Sequence, residues 1–191
     1  MSNPAFFVDG QTEQRSLHNI CPGNPIRIIG CNGDNVSIDA IAKRLTTLIK
    51  VLNNKYYPIV ILIDREGRTD KCEKIAIDLR DALIQYGVKD EILIGVCDRM
   101  IENWMLADVT YINSKVKGKN KLGNESLEGT NGKAILKKLI PEYHETSDGV
   151  NLLTNANVKS LYERSHSFKT FANLLRPIKC QWLGQIGFEA I

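Results

Sequence analysis

The sequence predicts an α/β fold in which a mostly parallel sheet is flanked by helices. Over the first hundred residues, short apolar runs alternate with segments of helical periodicity, which is the order of repeated βα units. The run 58–63 (PIVILI) contains no charged residue, as expected for a strand buried on both faces of a parallel sheet. Hydrophobic residues are 43% of the 191 residues, which is enough for the packed core of one domain.

Four strands and three helices are predicted within the first hundred residues. We expect strands at 6–8, 26–30, 59–63 and 92–97. Apolar residues recur at helical spacing between them, over about 12–19, 38–52 and 71–86. Thr12 and the segment 34–37 are predicted N-caps, and Gly87 is a predicted C-cap glycine. Right-handed crossovers between the strands then make the sheet mostly parallel.

The character of the chain changes after Asp108. Basic and small residues alternate over 115–121, which predicts a loop, and helical periodicity returns at 133–140, 158–164 and 168–175. Ser167 is the predicted N-cap of the last helix. We therefore predict a core over residues 1–110, with a basic loop and helical extension over residues 111–191 packed on it.

The formal net charge is +3, but its distribution along the chain is uneven. Residues 1–114 carry 13 Lys and Arg against 15 Asp and Glu, whereas residues 115–179 carry 12 against 6. This asymmetry suits an enzyme that holds a metal in one part and a polyanion in the other. A solvated lysine-rich surface would have the same charge distribution.

Composition predicts a cytoplasmic protein without a membrane-spanning segment. No apolar run approaches the roughly 20 residues that span a bilayer, and no basic segment precedes the first apolar residues as in a signal peptide. The five cysteines are odd in number, widely spaced and without a C-x-x-C pair, so they predict neither a zinc site nor a disulfide framework.

Acidic residues follow three of the predicted strands. The groups are Asp9 with Glu13, Asp64 with Glu66, and Asp98 with Glu102 and Asp108. The carboxyl ends of parallel strands form the ligand-binding edge of an open α/β sheet, and clustered carboxylates repel unless a cation neutralises them. Hard oxygen ligands favour Mg²⁺ or Mn²⁺, so the sequence predicts a metal site at this edge. The alternative is that these aspartates are turn and N-cap residues.

Two of these acidic groups resemble the motifs of the TOPRIM domain, which topoisomerases, primases and nucleases of the overcoming-lysogenization-defect type share. The matching residues are Asp9-Gly10-x-x-Glu13 and Asp64-x-Glu66. Asp9 stands where the family usually has Glu, and Glu66 where it usually has Asp; both positions keep a carboxylate. The segments 102–108 (ENWMLAD) and 165–168 (SHSF) resemble a small bacterial TOPRIM-like family of unassigned function, which is met beside ABC-type ATPases in phage-defence loci.

The resemblance implies a metal-dependent nuclease that cleaves phosphodiester bonds in DNA or RNA, as an antiviral defence effector working with an ATPase. It implies Asp9, Glu13, Asp64 and Glu66 as catalytic metal ligands, with Glu102 and Asp108 as further candidates. Basic residues near these acids are the predicted nucleic-acid contacts: Arg65, Arg68, Lys115, Lys117, Lys119 and Lys121.

A different class of function remains open from the sequence. The acids could bind Mg²⁺ or a nucleotide for regulation, in a non-catalytic partner or sensor subunit of such an ATPase. The apolar tail at 182–188 could dock on a partner or on a second copy of the chain.

Overall fold

The computed structural model describes residues 3–31, 33, 36–178 and 180–187, of which residue 181 is described by its backbone alone. Four strands form one sheet: β1 (Ala5–Val8), β2 (Ile26–Ile28), β3 (Ile59–Asp64) and β4 (Ile92–Cys97). They pair in the order β2-β1-β3-β4, and every pairing is parallel. The prediction of an α/β fold with a parallel sheet is confirmed.

Helices cover both faces of the sheet within the described residues. One face packs against α2 (Ile38–Val51) and α3 (Cys72–Gln85). The other packs against α1 (Gln11–Ile20), α4 (Glu102–Ala107), α5 (Val109–Lys115), α6 (Gly132–Leu139), α7 (Val150–Thr154), α8 (Val158–Arg164) and α9 (His166–Leu174). Alternate residues of β3 enter the two cores, since successive side chains of a strand point to opposite faces.

The C-terminal helices complete the core instead of forming an appendage. Trp104 is 1% exposed, packs against the rings of Phe168 and Phe171 with centroids 5.1 and 5.4 Å away, and donates its indole N–H to Ser167 Oγ at 2.8 Å. Phe171 lies so close to β4 that a Cβ at Gly95 would come within 2.3 Å of its ring. A glycine at this strand position therefore lets α9 pack directly on the sheet.

Two asparagines hold the loop between α5 and α6. Asn103 donates its side-chain amide to the carbonyls of Leu127, at 2.6 Å, and Thr130, at 3.2 Å. Asn113 exchanges two hydrogen bonds with the backbone of Leu122, of 2.7 and 3.0 Å. These bonds bring the start of α6 against α4, on the side of the sheet where the strands end.

Some predicted caps are confirmed and others are wrong. Ser37 caps α2 by accepting the Ala40 N–H, and Gly87 has a φ of 79° just after α3. Thr12 is not an N-cap, because α1 begins one residue earlier after Gly10, and its hydroxyl donates to the carbonyl of Glu145. The N-cap of α9 is Ser165 rather than Ser167. Asp34, part of the predicted cap segment, lies outside the described residues.

A disulfide joins Cys21, at the end of α1, to Cys180, with their Cα atoms 4.9 Å apart. The prediction of no disulfide is therefore wrong: pairing partners 159 residues apart cannot be identified from spacing alone. Cys31, Cys72 and Cys97 are free thiols.

The first two residues of the predicted docking tail are part of the core. Trp182 and Leu183 are 6% and 3% exposed within the 3-10 helix Gln181–Ile186, and the Trp182 ring packs edge-on against Phe168. These two residues are therefore not available for a partner. Phe188, the last residue of the predicted tail, lies outside the described residues. Throughout the ranges described, none of the helices has the length and hydrophobicity needed to cross a membrane.

Candidate active site

The ends of β1 and β3 bring two predicted acids into contact. The two strands are neighbours, with Val8 opposite Leu62, so the residues that follow them emerge side by side. The backbone N–H of Asp64 donates to Oδ2 of Asp9 at 2.7 Å. Asp9 is 6% exposed, so its carboxyl group is held inside the edge of the sheet.

Glu13 reaches the same edge from the first turn of α1. It is 6% exposed, and its carboxylate lies over Gly10, where an added Cβ would come within 2.9 Å of Oε2. The sequence Asp9-Gly10-x-x-Glu13 therefore has a geometric reason. Gly10 leaves the space in which a glutamate one helical turn later can approach the end of β1.

Glu66, on the loop after β3, and Glu102, at the start of α4, stand beside this pair. Glu66 lies beyond the extended strand, because β3 ends at Asp64 and Glu66 has a φ of 56°. Its N–H donates to the carbonyl of Arg99 at 2.7 Å, which joins the loops after β3 and β4. Glu102 begins α4 and is 4% exposed. A left-handed backbone at a residue other than glycine is a strained conformation of the kind that clusters at functional sites.

These carboxyl groups raise one another's pKa values. Burial raises the pKa of Asp9 to about 7, helped by the charge of Glu66 and opposed by the Asp64 N–H and by Arg68. Burial also raises the pKa of Glu13 to about 7, with contributions from Asp9 and Glu102.

Asp64 and Glu102 follow the same pattern. Burial and then the charges of Glu13, Asp9, Glu102 and Glu66 hold the pKa of Asp64 well above its ordinary value. Burial raises the pKa of Glu102 as well, against the charge of Lys133. We call these five residues the acidic site: Asp9, Glu13, Asp64, Glu66 and Glu102.

Lys133 is a cation at this site that sequence reasoning missed. It lies in the first turn of α6, and its Nζ contacts Oε2 of Glu145 at 2.9 Å. Burial disfavours its charge, but Glu145, Glu102 and Glu66 raise its pKa above the ordinary value. The sequence does indicate a lysine-rich helix that begins after the N-cap residue Asn131. It does not indicate that this helix lies beside Glu102.

The donor set suits a hard divalent cation, although its present arrangement is not a finished coordination shell. Among the residues described, no three Asp, Glu, His or Cys side chains form a group ready to hold a metal ion. The site nevertheless offers carboxylate oxygens from four separate segments, and the charged neighbours that raise the pKa of Asp64 are all acids. Carboxylates are the ligands that Mg²⁺ and Mn²⁺ prefer. Either cation, once bound, would relieve the repulsion between the carboxylates of the acidic site.

Asp108 and Asp98 belong elsewhere, which corrects the prediction for Asp108. Asp108 is 3% exposed and caps two segments, because Oδ1 accepts the N–H of Tyr111 at 3.1 Å and Oδ2 that of Asn157 at 2.7 Å. With both oxygens committed to backbone groups, it is a structural cap. Asp98 forms an ion pair with Nε of Arg65 at 2.7 Å.

The two predicted arginines make hydrogen bonds inside the protein, and their assignment as phosphate contacts stays a prediction. Arg68 donates to the carbonyls of Val36, Asp64 and Arg65 at 2.8, 3.2 and 3.0 Å, so it fixes the loop that carries Glu66. Arg65 pairs with Asp98 and also donates to the Arg68 carbonyl.

All four predicted lysines are exposed, and one of them, Lys121, is bonded to backbone carbonyls. Lys115, Lys117 and Lys119 lie exposed at the end of α5 and in the following loop. Lys121 donates Nζ to the carbonyls of Val116, at 2.9 Å, and Asn113. It therefore satisfies carbonyls at the end of α5, and its contact with phosphate stays a prediction.

Comparison with known proteins places the chain in a family without assigning it an activity. No curated protein matches it, and no solved structure does. The sequence model of the family described as Domain of unknown function (DUF4276) matches residues 8–176. The chain therefore belongs to the DUF4276 family.

Proposed function

We propose that this protein is a metal-dependent nuclease that cleaves phosphodiester bonds in DNA or RNA. The observation that carries the proposal is the acidic site at the carboxyl edge of the sheet, where burial and neighbouring acids raise the pKa values of Asp9, Glu13, Asp64 and Glu102. Burying mutually repelling acids costs stability, so a fold that keeps them is best explained by a cation that they bind.

Each residue has a part in this proposal. Asp9, Glu13 and Asp64 would hold Mg²⁺ or Mn²⁺, with Glu66 on the loop after β3 and Glu102 at the start of α4 beside them. The bound ion would stabilise negative charge on the phosphoryl oxygens. It would also lower the pKa of a bound water molecule, which makes that water a better nucleophile. Without the ion, a pKa of about 7 lets Asp9 and Glu13 keep a proton at neutral pH, and the charge of a bound cation would favour their deprotonated forms. Lys133 would place a positive charge beside a bound phosphate.

The biological setting is proposed from the TOPRIM resemblance. In this proposal the protein is a cytoplasmic effector of antiviral defence that works with a separate ATPase, and it acts as a single chain or as a homo-oligomer. A nucleic-acid substrate supports a cytoplasmic location, whereas the bond between Cys21 and Cys180 is unusual for a reducing compartment. Alkylation of free thiols in intact cells followed by mass spectrometry would decide whether that bond exists where the protein works.

The test is a nuclease assay with Mn²⁺, Mg²⁺ or EDTA on labelled DNA and RNA, single-stranded and duplex. We expect cleavage with either metal and none in EDTA. Asp64→Ala should abolish cleavage and cellular toxicity without loss of folding, and without metal it should raise the melting temperature, because one repelling acid is removed.

The matched control is Asp81→Ala, which removes an exposed carboxylate from α3 and should leave cleavage unchanged. If Asp64→Ala keeps the full activity of the wild type, the nuclease assignment to this site is wrong. The acids would then be better explained as the regulatory site of a non-catalytic subunit.

A further inference from the structure

A cavity of about 460 Å³ lies between the loop after α5 and the end of α6. Its charged lining consists of four exposed lysines, Lys115, Lys117, Lys119 and Lys138, and one exposed carboxylate, Glu142. We call it the lysine-rimmed cavity. Its volume falls in the range of about 300–1,000 Å³ that is typical of pockets for small organic groups.

The wall of the lysine-rimmed cavity is more apolar than its rim. Val116, Leu139, Ile140 and Pro141 contribute to it, together with the backbone of Gly118. Lysines above an apolar wall match a ligand that has an anionic group on one side and a flat apolar surface on the other. Nucleotides have this character, with phosphates on one side and the faces of a base on the other.

The loop that forms one side of the cavity is fixed before any ligand binds. Asn113 and Leu122 close its two ends with the reciprocal hydrogen bonds of 2.7 and 3.0 Å. Inside this closure, Lys121 ties its Nζ to the Val116 carbonyl at 2.9 Å. A pre-formed pocket loses less conformational entropy on binding than a loop that must be ordered first.

Helix α6 connects the cavity to the acidic site. Its first turn carries Lys133 beside Glu102, and its last turn carries Lys138 at the rim. Eight residues of α-helix span about 12 Å. A stacked strand advances about 3.4 Å per nucleotide, so the cavity lies roughly three to four nucleotides from the acidic site.

We propose that the lysine-rimmed cavity binds one unstacked nucleotide of a single-stranded nucleic acid, a few nucleotides from the bond that is cut. This inference rests on the proposed function, because it names the substrate class of the same site. The base enters against the apolar wall, and the lysines contact the flanking phosphates. The bases of a duplex are stacked and paired, so a duplex gains only the phosphate contacts.

The experiment measures affinity in EDTA by fluorescence anisotropy, at several salt concentrations. The probes are a labelled 12-nucleotide single strand, as DNA and as RNA, its duplex, and an abasic strand of the same length. We expect the single strand to bind wild-type protein at least about tenfold more tightly than the duplex or the abasic strand, in keeping with the effect of one stacked base.

Two variants separate the wall from the rim. Gly118→Phe adds a ring where a Cβ meets no atom within 4 Å, and should weaken single-strand binding about tenfold without changing the salt slope. Lys117→Gln with Lys119→Gln should flatten the log–log salt slope by about one to two for every probe. The matched control is Lys55→Gln with Lys89→Gln, two exposed lysines shortly before β3 and β4, at the opposite sheet edge, which should change nothing.

Equal affinity of wild-type protein for the intact, abasic and duplex probes would overturn the inference, and this comparison needs no variant to fold. Unchanged single-strand binding by a folded Gly118→Phe protein would also overturn it. Because binding is measured without metal, tight base-dependent binding by a protein that never cleaves would refute the nuclease proposal alone. If the cavity variants cleave a single strand at the wild-type rate, this inference alone would be refuted.

Discussion

Replacing Asp9 by asparagine should stabilise the metal-free protein at high pH. Asp9 has its pKa raised from an ordinary value of 3.8 to about 7 by burial and by Glu66. The folded protein therefore holds this proton up to about pH 7, whereas the unfolded chain releases it near pH 4. Since the unfolded state binds fewer protons in that window, the free energy of unfolding falls as pH rises through it and is level outside it.

The size of the effect follows from the same values. A tenfold change in proton affinity is worth about 1.4 kcal/mol, so the gap between 3.8 and about 7 sets an upper bound of roughly 4 kcal/mol. Asparagine keeps an oxygen that can accept the Asp64 N–H and carries no charge. We expect Asp9→Asn to gain about 2–4 kcal/mol at pH 8, which is a rise of roughly 5–15 °C in melting temperature.

The assay is thermal unfolding in EDTA at pH 4, 6 and 8, repeated with Mn²⁺. The gain should disappear near pH 4, and Mn²⁺ should stabilise the wild type more than Asp9→Asn. The matched control is Asp108→Asn at an equally buried aspartate whose two oxygens both accept backbone N–H groups. Its amide would face one of those donors, so it should lose about 1–3 kcal/mol. An Asp9→Asn protein that is less stable than the wild type at pH 8 would refute the reasoning.

Three further changes test the geometry around the site. Gly10→Ala should push the Glu13 carboxylate aside and lower cleavage at least about tenfold with little loss of stability, measured by initial rates and thermal unfolding. Lys133→Gln should move the acid limb of the pH–activity profile to higher pH, because the Lys133 charge lowers the pKa of Glu102 and its loss makes deprotonation harder; an unmoved limb would argue against this role. Gly95→Ala should cost about 1–3 kcal/mol in denaturant unfolding, because the Phe171 ring occupies the space of its Cβ.

The sheet and its acidic edge can be predicted from the sequence because both depend on local patterns. Apolar runs of four to six residues and helical periodicity locate the βα units of the first hundred residues. Once the strands are parallel, residues that follow them must meet at one edge, so the contact between Asp9 and Asp64 follows from strand order alone.

The remaining parts depend on contacts between distant segments. Asp108 has the sequence context of the other acids, but it is a cap because Asn157, 49 residues later, donates to it. Lys133 reaches Glu102 only because Asn103 binds the loop that leads into α6. The disulfide joins residues 159 apart. Such pairings leave no periodic signal in the sequence.

The location of bound Mn²⁺ tests the central claim most directly. Anomalous diffraction from crystals grown with Mn²⁺ should show a peak at the carboxyl ends of β1 and β3, with carboxylate oxygens from at least two residues of the acidic site as ligands. The same crystals of Asp64→Ala should lose or weaken that peak. Peaks confined to other carboxylates, such as Asp78 on α3 or Asp98 after β4, would contradict the account.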